Sequence, residues 1–161
     1  MATERQTSFL DLPREIRNKI YDHVFEDSTI KLQSKNRTEP PAILLTCMQI
    51  YTKAISPFYR CATFHFEEYS VGNSWVRCLP AKYTSILTQV RFDVGPYLTR
   101  TPERIEQRKL KAREAIACLD EFQRLARMRG KALRPDALQV HIELESGRWV
   151  WTNDPMSLIE A

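Results

Sequence analysis

The chain has 161 residues, 43% of them hydrophobic and 27% charged, and a formal net charge of +4. That length suggests one domain, and these proportions are ordinary for a globular chain with a buried core. Apolar stretches are too short to span a bilayer, and the first residues, MATERQTS, lack the apolar run of a secretory signal, so a cytoplasmic or nuclear protein with no membrane contact is expected.

The first amphipathic segment is LPREIRNKIYDHVF, Leu12 to Phe25. Ser8 or Asp11 can cap it, and Pro13 sits where its missing N–H costs nothing. Leu12, Ile16, Ile20 and Val24 recur every four residues, with Tyr21 and Phe25 beside them, which predicts a helix with a broad apolar face. Residues 26–41 are polar and end in Pro40-Pro41, a loop with a short extended piece at Thr29–Leu32. A second helix is predicted over about residues 42–55. It has so little polar surface that burial on most sides is expected, and Ser56-Pro57 either stops it or opens a short third helix.

Ala62–Tyr69 alternates around Phe64 and Phe66 and reads as a strand. Asn73 or Ser74 starts a short helix over Trp75–Leu79, and Lys82–Thr88 is a short helix or turn. Gln89–Val94 alternates as a strand. Thr101-Pro102 then opens a long helix that runs to about Gly130, with an apolar stripe at Ile105, Ala112, Ile116, Leu119, Phe122 and Ala126. Ala137–Leu144 and Arg148–Trp151 are the last strands, joined at Ser146-Gly147, and Trp149 and Trp151 fall on one face of the second. The fold class predicted is α+β: a helical N-terminus continuous with a small mixed sheet covered by a long helix. Residues 1–66 hold the helical region and first strand, and 67–161 the α+β body, in one continuous domain.

Candidate chemistry is sparse. Cys47, Cys61, Cys78 and Cys118 form no C-x-x-C pair, and the three histidines are scattered, so reduced, packed thiols are expected, with no metal and no cofactor. There is no G-x-S-x-G elbow and no glycine-rich phosphate loop. Glu67 and Glu68 are neighbours in a strand and point to opposite faces, so they cannot flank one bond. His65 and His141 alternate with apolar neighbours and read as surface or edge residues. An enzyme is therefore not expected.

Charge is uneven. Residues 100–134 carry 11 Lys or Arg against 5 Asp or Glu, a balance of +6 that leaves about −2 for the rest. Arg108, Lys111, Arg124, Arg127 and Lys131 are a candidate basic surface for nucleic acid or an acidic partner. Interleaved Glu106, Glu114, Asp120 and Glu121 dilute its field by pairs such as Asp120 with Arg124, so any nucleic-acid binding should be weak.

The segments SFLDLPREIRNKIY, LLTCMQIYTKAISPFY and TFHF, in this order, resemble the fungal group of F-box-like proteins over residues 8–66. WVRCLP and TQVRFDV continue the likeness more loosely. The resemblance implies an adaptor. Its F-box-type helices would bind a Skp-type adaptor protein and so a cullin ubiquitin ligase, while the remaining domain would hold an unknown protein substrate. By motif match, Leu12, Pro13, Ile16, Ile20 and Val24 would carry the contact, with Glu15 on its rim and Leu44, Leu45 and Cys47 matching the second helix. The sequence departs from the pattern in its long inter-helix loop and in having Ile50 and Tyr59 where tryptophan is common. Two alternatives stay open: these residues pack the domain's own core, or the chain is a scaffold with a degenerate F-box.

Overall fold

The computed structural model describes residues 8–33, 39–93, 103–128, 133, 135–143 and 149–154. It begins with a 3-10 turn, Phe9–Asp11. The Ser8 N–H donates to Asp11 Oδ2 at 2.8 Å, and Ser8 Oγ accepts from the Leu10 N–H at 3.4 Å. These two residues therefore cap this turn rather than the first α-helix. Helix α1 (Arg14–Glu26) starts directly after Pro13, whose φ of −52° suits helix entry. It buries Tyr21 and Phe25, one turn apart, in the core.

Strand β1 (Thr29–Leu32) forms at the extended piece read from the sequence. The second helical region is divided differently from the expectation. Ala42–Leu45 is a 3-10 turn and α2 covers Met48–Cys61. The break is local, since Thr46 Oγ1 donates to the Ile43 carbonyl at 2.8 Å and Cys47 is extended at φ −161°. Pro57 does not stop the helix. It removes one backbone donor, but it is buried with Ala54, Ile55 and Phe58, and that apolar burial carries α2 on to Cys61.

Strand β2 (Thr63–Phe66) follows, then α3 (Tyr69–Cys78), the single turn α4 (Ala81–Thr84) and β3 (Gln89–Asp93). Helix α3 starts earlier than Asn73 because Gly72 and Val76, one turn apart, are both buried. Helix α5 (Glu103–Met128), a 3-10 turn at Pro135–Ala137, and strands β4 (Leu138–Glu143) and β5 (Trp149–Thr152) complete the chain.

The strands form one sheet in chain order, β1-β2-β3-β4-β5. The first four are parallel, and β5 is antiparallel to β4. The α+β class stands, with a mixed sheet, and the extended piece Thr29–Leu32, read from the sequence as part of a loop, joins that sheet as its edge strand. Its register aligns Ile30, Phe64, Val90 and Leu138 in one row, and Leu32, Phe66, Phe92 and Val140 in another. These rows face the helices. Phe64 meets Phe58 of α2 with ring centres 5.4 Å apart, and Phe92 meets Phe122 of α5 edge-on at 5.5 Å. Tyr21, Phe25, Val76, Leu119 and Ala126 join the same cluster, so α1, α2, α3 and α5 all pack through one side.

The alternate positions make a second face: Lys31, His65, Arg91 and Gln139 in one row, and Glu67, Asp93 and His141 near the strand ends. Parallel sheets are usually apolar on both faces. Here the strands alternate apolar and polar instead, and among the described residues the helices pack against the apolar face. Among the described residues no helix is long and apolar enough to cross a membrane.

Candidate docking surface and open sheet face

The two N-terminal helices place the residues of the F-box-like resemblance in different environments. Ile16, Ile20 and Val24 form an i, i+4, i+8 row on α1, one position away from the buried Tyr21 and Phe25. Ile16 and Val24 are exposed and Ile20 and Leu12 half-buried, while Pro13 and Glu15 are exposed beside them. The expectation of one broad apolar face is therefore corrected to two stripes, one in the core and one turned outward. Leu44 is 4% exposed and belongs to the core, so it is removed from the docking set. Leu45, next to it, is exposed.

The structure also exposes Met48 and Tyr51. They lie in the first turn of α2, ahead of the core-facing Ala54, Ile55 and Phe58. Ile16, Val24, Leu45, Met48 and Tyr51 are between 40% and 77% exposed, and among the described residues the only other large apolar side chains so exposed are Leu110 and Met128 on α5. Helix α2 is thus not buried on most sides, because its N-terminal turn extends past the core.

The thiols also differ from the expectation of four packed side chains. Cys47 and Cys78 are exposed, while Cys61 and Cys118 are half-buried, and all four are free. Burial pushes the Cys61 and Cys118 thiols up from their ordinary value. Cys47 stands at the open start of α2 and Cys78 at the end of α3, where neighbours cover less of them.

On α5 the described part of the candidate basic surface is internally paired. Arg124 Nε and Nη2 donate to Glu121 Oε2 and Oε1 at 2.6 and 2.7 Å. This two-pronged contact holds the Glu121 carboxyl below its usual range and raises Arg124. Glu121, at i−3, is the partner rather than the expected Asp120, and both its oxygens meet the guanidinium fork. Arg127 Nη2 donates to Gln123 Oε1 at 3.1 Å. The side chains of Ile105, Arg108, Lys111, Ala112, Trp149 and Trp151, and Lys131 altogether, lie outside the described residues.

The polar sheet face holds a group that no local sequence pattern assembles. His65 Nε2 stands 3.0 Å from Asp93 Oδ2, and His141 Nδ1 stands 3.1 Å from Asp93 Oδ1. Three strands thus converge on one carboxylate, each oxygen meeting a different imidazole. Beside it Arg91 Nε donates to Gln139 Oε1 at 3.2 Å, and Thr63 Oγ1 donates to Gln89 Oε1 at 2.6 Å. Gln33 Nε2 donates to Glu67 Oε1 at 2.5 Å, and Glu68 has already left the strand as the residue before α3. These contacts cross-link neighbouring strands over the polar face. Among the described residues, no group of three or more His, Cys, Asp and Glu is placed to hold a metal ion.

Alternation alone had put His65 and His141 away from the apolar neighbours, which is where they lie. Asp93 was missed because nothing local marks it. Its role depends on the register of β2 and β4, which are distant in the chain. Compared with known proteins, the chain matches no family model, no curated protein and no solved structure.

Proposed function

We propose that the chain is a protein–protein interaction adaptor. Its first two helices dock a Skp-type adaptor protein, which makes it a substrate-receptor subunit of a cullin-type ubiquitin ligase. The observation that carries this reading is the exposure of the apolar side chains of Ile16, Val24, Leu45, Met48 and Tyr51, all in the segments that resemble F-box helices. Five of the seven exposed large apolar side chains among the described residues fall within residues 16–51, and exposed apolar side chains favour a protein interface over a solvated surface. A partner helix laid across them would bury its own apolar row against theirs. The alternative that these residues pack the domain's own core loses Ile16 and Val24, which face outward.

Affinity purification of the tagged chain tests the reading. A Skp-type adaptor and a cullin should co-purify, and Ile16→Asp should remove both while leaving the cooperative melt in place. Loss of the melt in that variant would return Ile16 to the core and end the proposal, as would the absence of any Skp-type protein from the wild-type eluate.

A further inference from the structure

A cleft of about 350 Å3 lies between α1 and α2, lined by Arg14, Arg17, Asn18, Tyr21, Thr52 and Lys53. Three of the six are cations, and no carboxylate lines it. Among the described residues none of Arg14, Arg17 and Lys53 stands in a salt bridge. Arg17 Nη1 donates to the Leu10 carbonyl at 3.3 Å, but its Nε is buried with no hydrogen-bond partner. Tyr21 is 1% exposed, and its hydroxyl is buried with no partner either.

Buried donors without partners are uncommon and costly, and each calls for a specific explanation. Here the two residues that carry them, Arg17 and Tyr21, line one cleft, and with Arg14 and Lys53 they bring three positive charges to it. The cleft also sits at the start of α1, where Arg14 and Arg17 fall in the first turn and the helix dipole favours an anion.

We infer that this cleft binds a phosphate ester free in solution. Arg14, Arg17 and Lys53 neutralise its phosphoryl group, while Arg17 Nε and the Tyr21 hydroxyl donate hydrogen bonds to the phosphoryl oxygens. Three cations exceed what a single carboxylate needs and match a doubly charged group, and the arginine fork fits phosphoryl oxygens well. The cleft is larger than a lone phosphate requires and lies within the range of small-molecule sites, about 300–1,000 Å3, so an ester with an organic portion fits better than the bare ion. Asn18 and Thr52 also line it, and their amide and hydroxyl can hydrogen-bond the polar organic portion of a soluble ester. Burial holds the Tyr21 hydroxyl protonated, the form that donates. The site uses Arg14, Arg17, Asn18 and Tyr21 of α1, a different face from the Ile16–Ile20–Val24 row, so it stands whether or not an adaptor docks there.

Calorimetric titration of the full chain with inorganic pyrophosphate, in physiological salt to screen surface charge, tests the site. Saturable one-to-one binding that raises the melting temperature is expected. Lys53→Gln, at an exposed position, and Arg17→Gln should each weaken it about tenfold or more, the effect of losing a charged hydrogen bond. Tyr21→Phe keeps the ring in the core and should weaken binding a few-fold. Absence of binding to the wild type overturns the inference, and so does equal affinity in Lys53→Gln and Arg17→Gln variants that melt like the wild type. A second arm uses vesicles of phosphatidylcholine with phosphatidylserine. Binding to these without binding to pyrophosphate also overturns it, in favour of a lipid headgroup.

Discussion

Gly72 of α3 lies directly under the ring of Phe92 in β3: a Cβ on Gly72 would stand 2.5 Å from Phe92 Cε1 and 2.9 Å from Cζ. The helix approaches the sheet this closely only because the residue has no side chain. Phe92 is 1% exposed and packed against Phe66, Tyr69 and Phe122, so its ring cannot swing away. Gly72→Ala gains about 1 kcal/mol of helix propensity but must displace a buried ring, an overpacking cost of roughly 1–3 kcal/mol. The net expectation is a loss of up to about 2 kcal/mol in urea unfolding. A variant more stable than the wild type would mean that α3 and β3 are not this close.

Thr84, at the end of α4, offers the opposite case. It is completely buried, and its hydroxyl has no hydrogen-bond partner. Valine replaces that hydroxyl with a methyl of nearly the same size and removes the desolvation penalty. Thr84→Val should raise the urea midpoint by an amount equal to about 0.5–2 kcal/mol, whereas Thr84→Ser, which keeps the hydroxyl and loses the methyl, should lower it. A destabilised Thr84→Val variant would show that the hydroxyl has a partner in solution.

The thiols should separate into two classes. A soluble thiol reagent should modify Cys47 and Cys78 fast in the native protein, and Cys61 and Cys118 slowly. Burial raises the latter pair, so their reaction should climb only at a pH above the ordinary thiol range. The same shift has a sign for stability. A pKa raised in the folded state means that the native protein holds these protons more tightly, so stability is full below the unfolded thiol pKa and falls as pH rises through the folded one. Four equally fast thiols, or a native protein with Cys61 labelled first, would contradict this placement.

What the sequence made legible follows from the range of the physical signal. Strands β2, β3 and β4 and the short β1 were readable because two-residue alternation is written in consecutive residues such as Phe64, His65 and Phe66. The end of α2 was not, because a proline normally breaks a helix and only its burial with Ala54 and Phe58, a tertiary fact, overrides that. Which stripe of α1 faces inward was equally hidden. Ile16–Ile20–Val24 and Tyr21–Phe25 have the same spacing, and only the contact of Phe25 with Phe58, 5.4 Å between ring centres, decides between them. Likewise Asp93 meets His65 and His141 through strand register, and the cleft of Arg17, Tyr21 and Lys53 arises from helix packing. Neither leaves a local motif.

If, as proposed, the outward stripe of α1 and the start of α2 dock a Skp-type adaptor, the affinity between the two purified proteins reads that contact itself. The prediction is a saturable one-to-one complex with a Kd on the order of micromolar or tighter. The Ile16→Asp, Met48→Glu double variant should weaken it about 100-fold while keeping the wild-type melt, since buried interface contacts of this kind carry most of the binding energy and neither side chain belongs to the core. No measurable binding by the wild type, or a double variant that binds as tightly, would rule out docking through these residues.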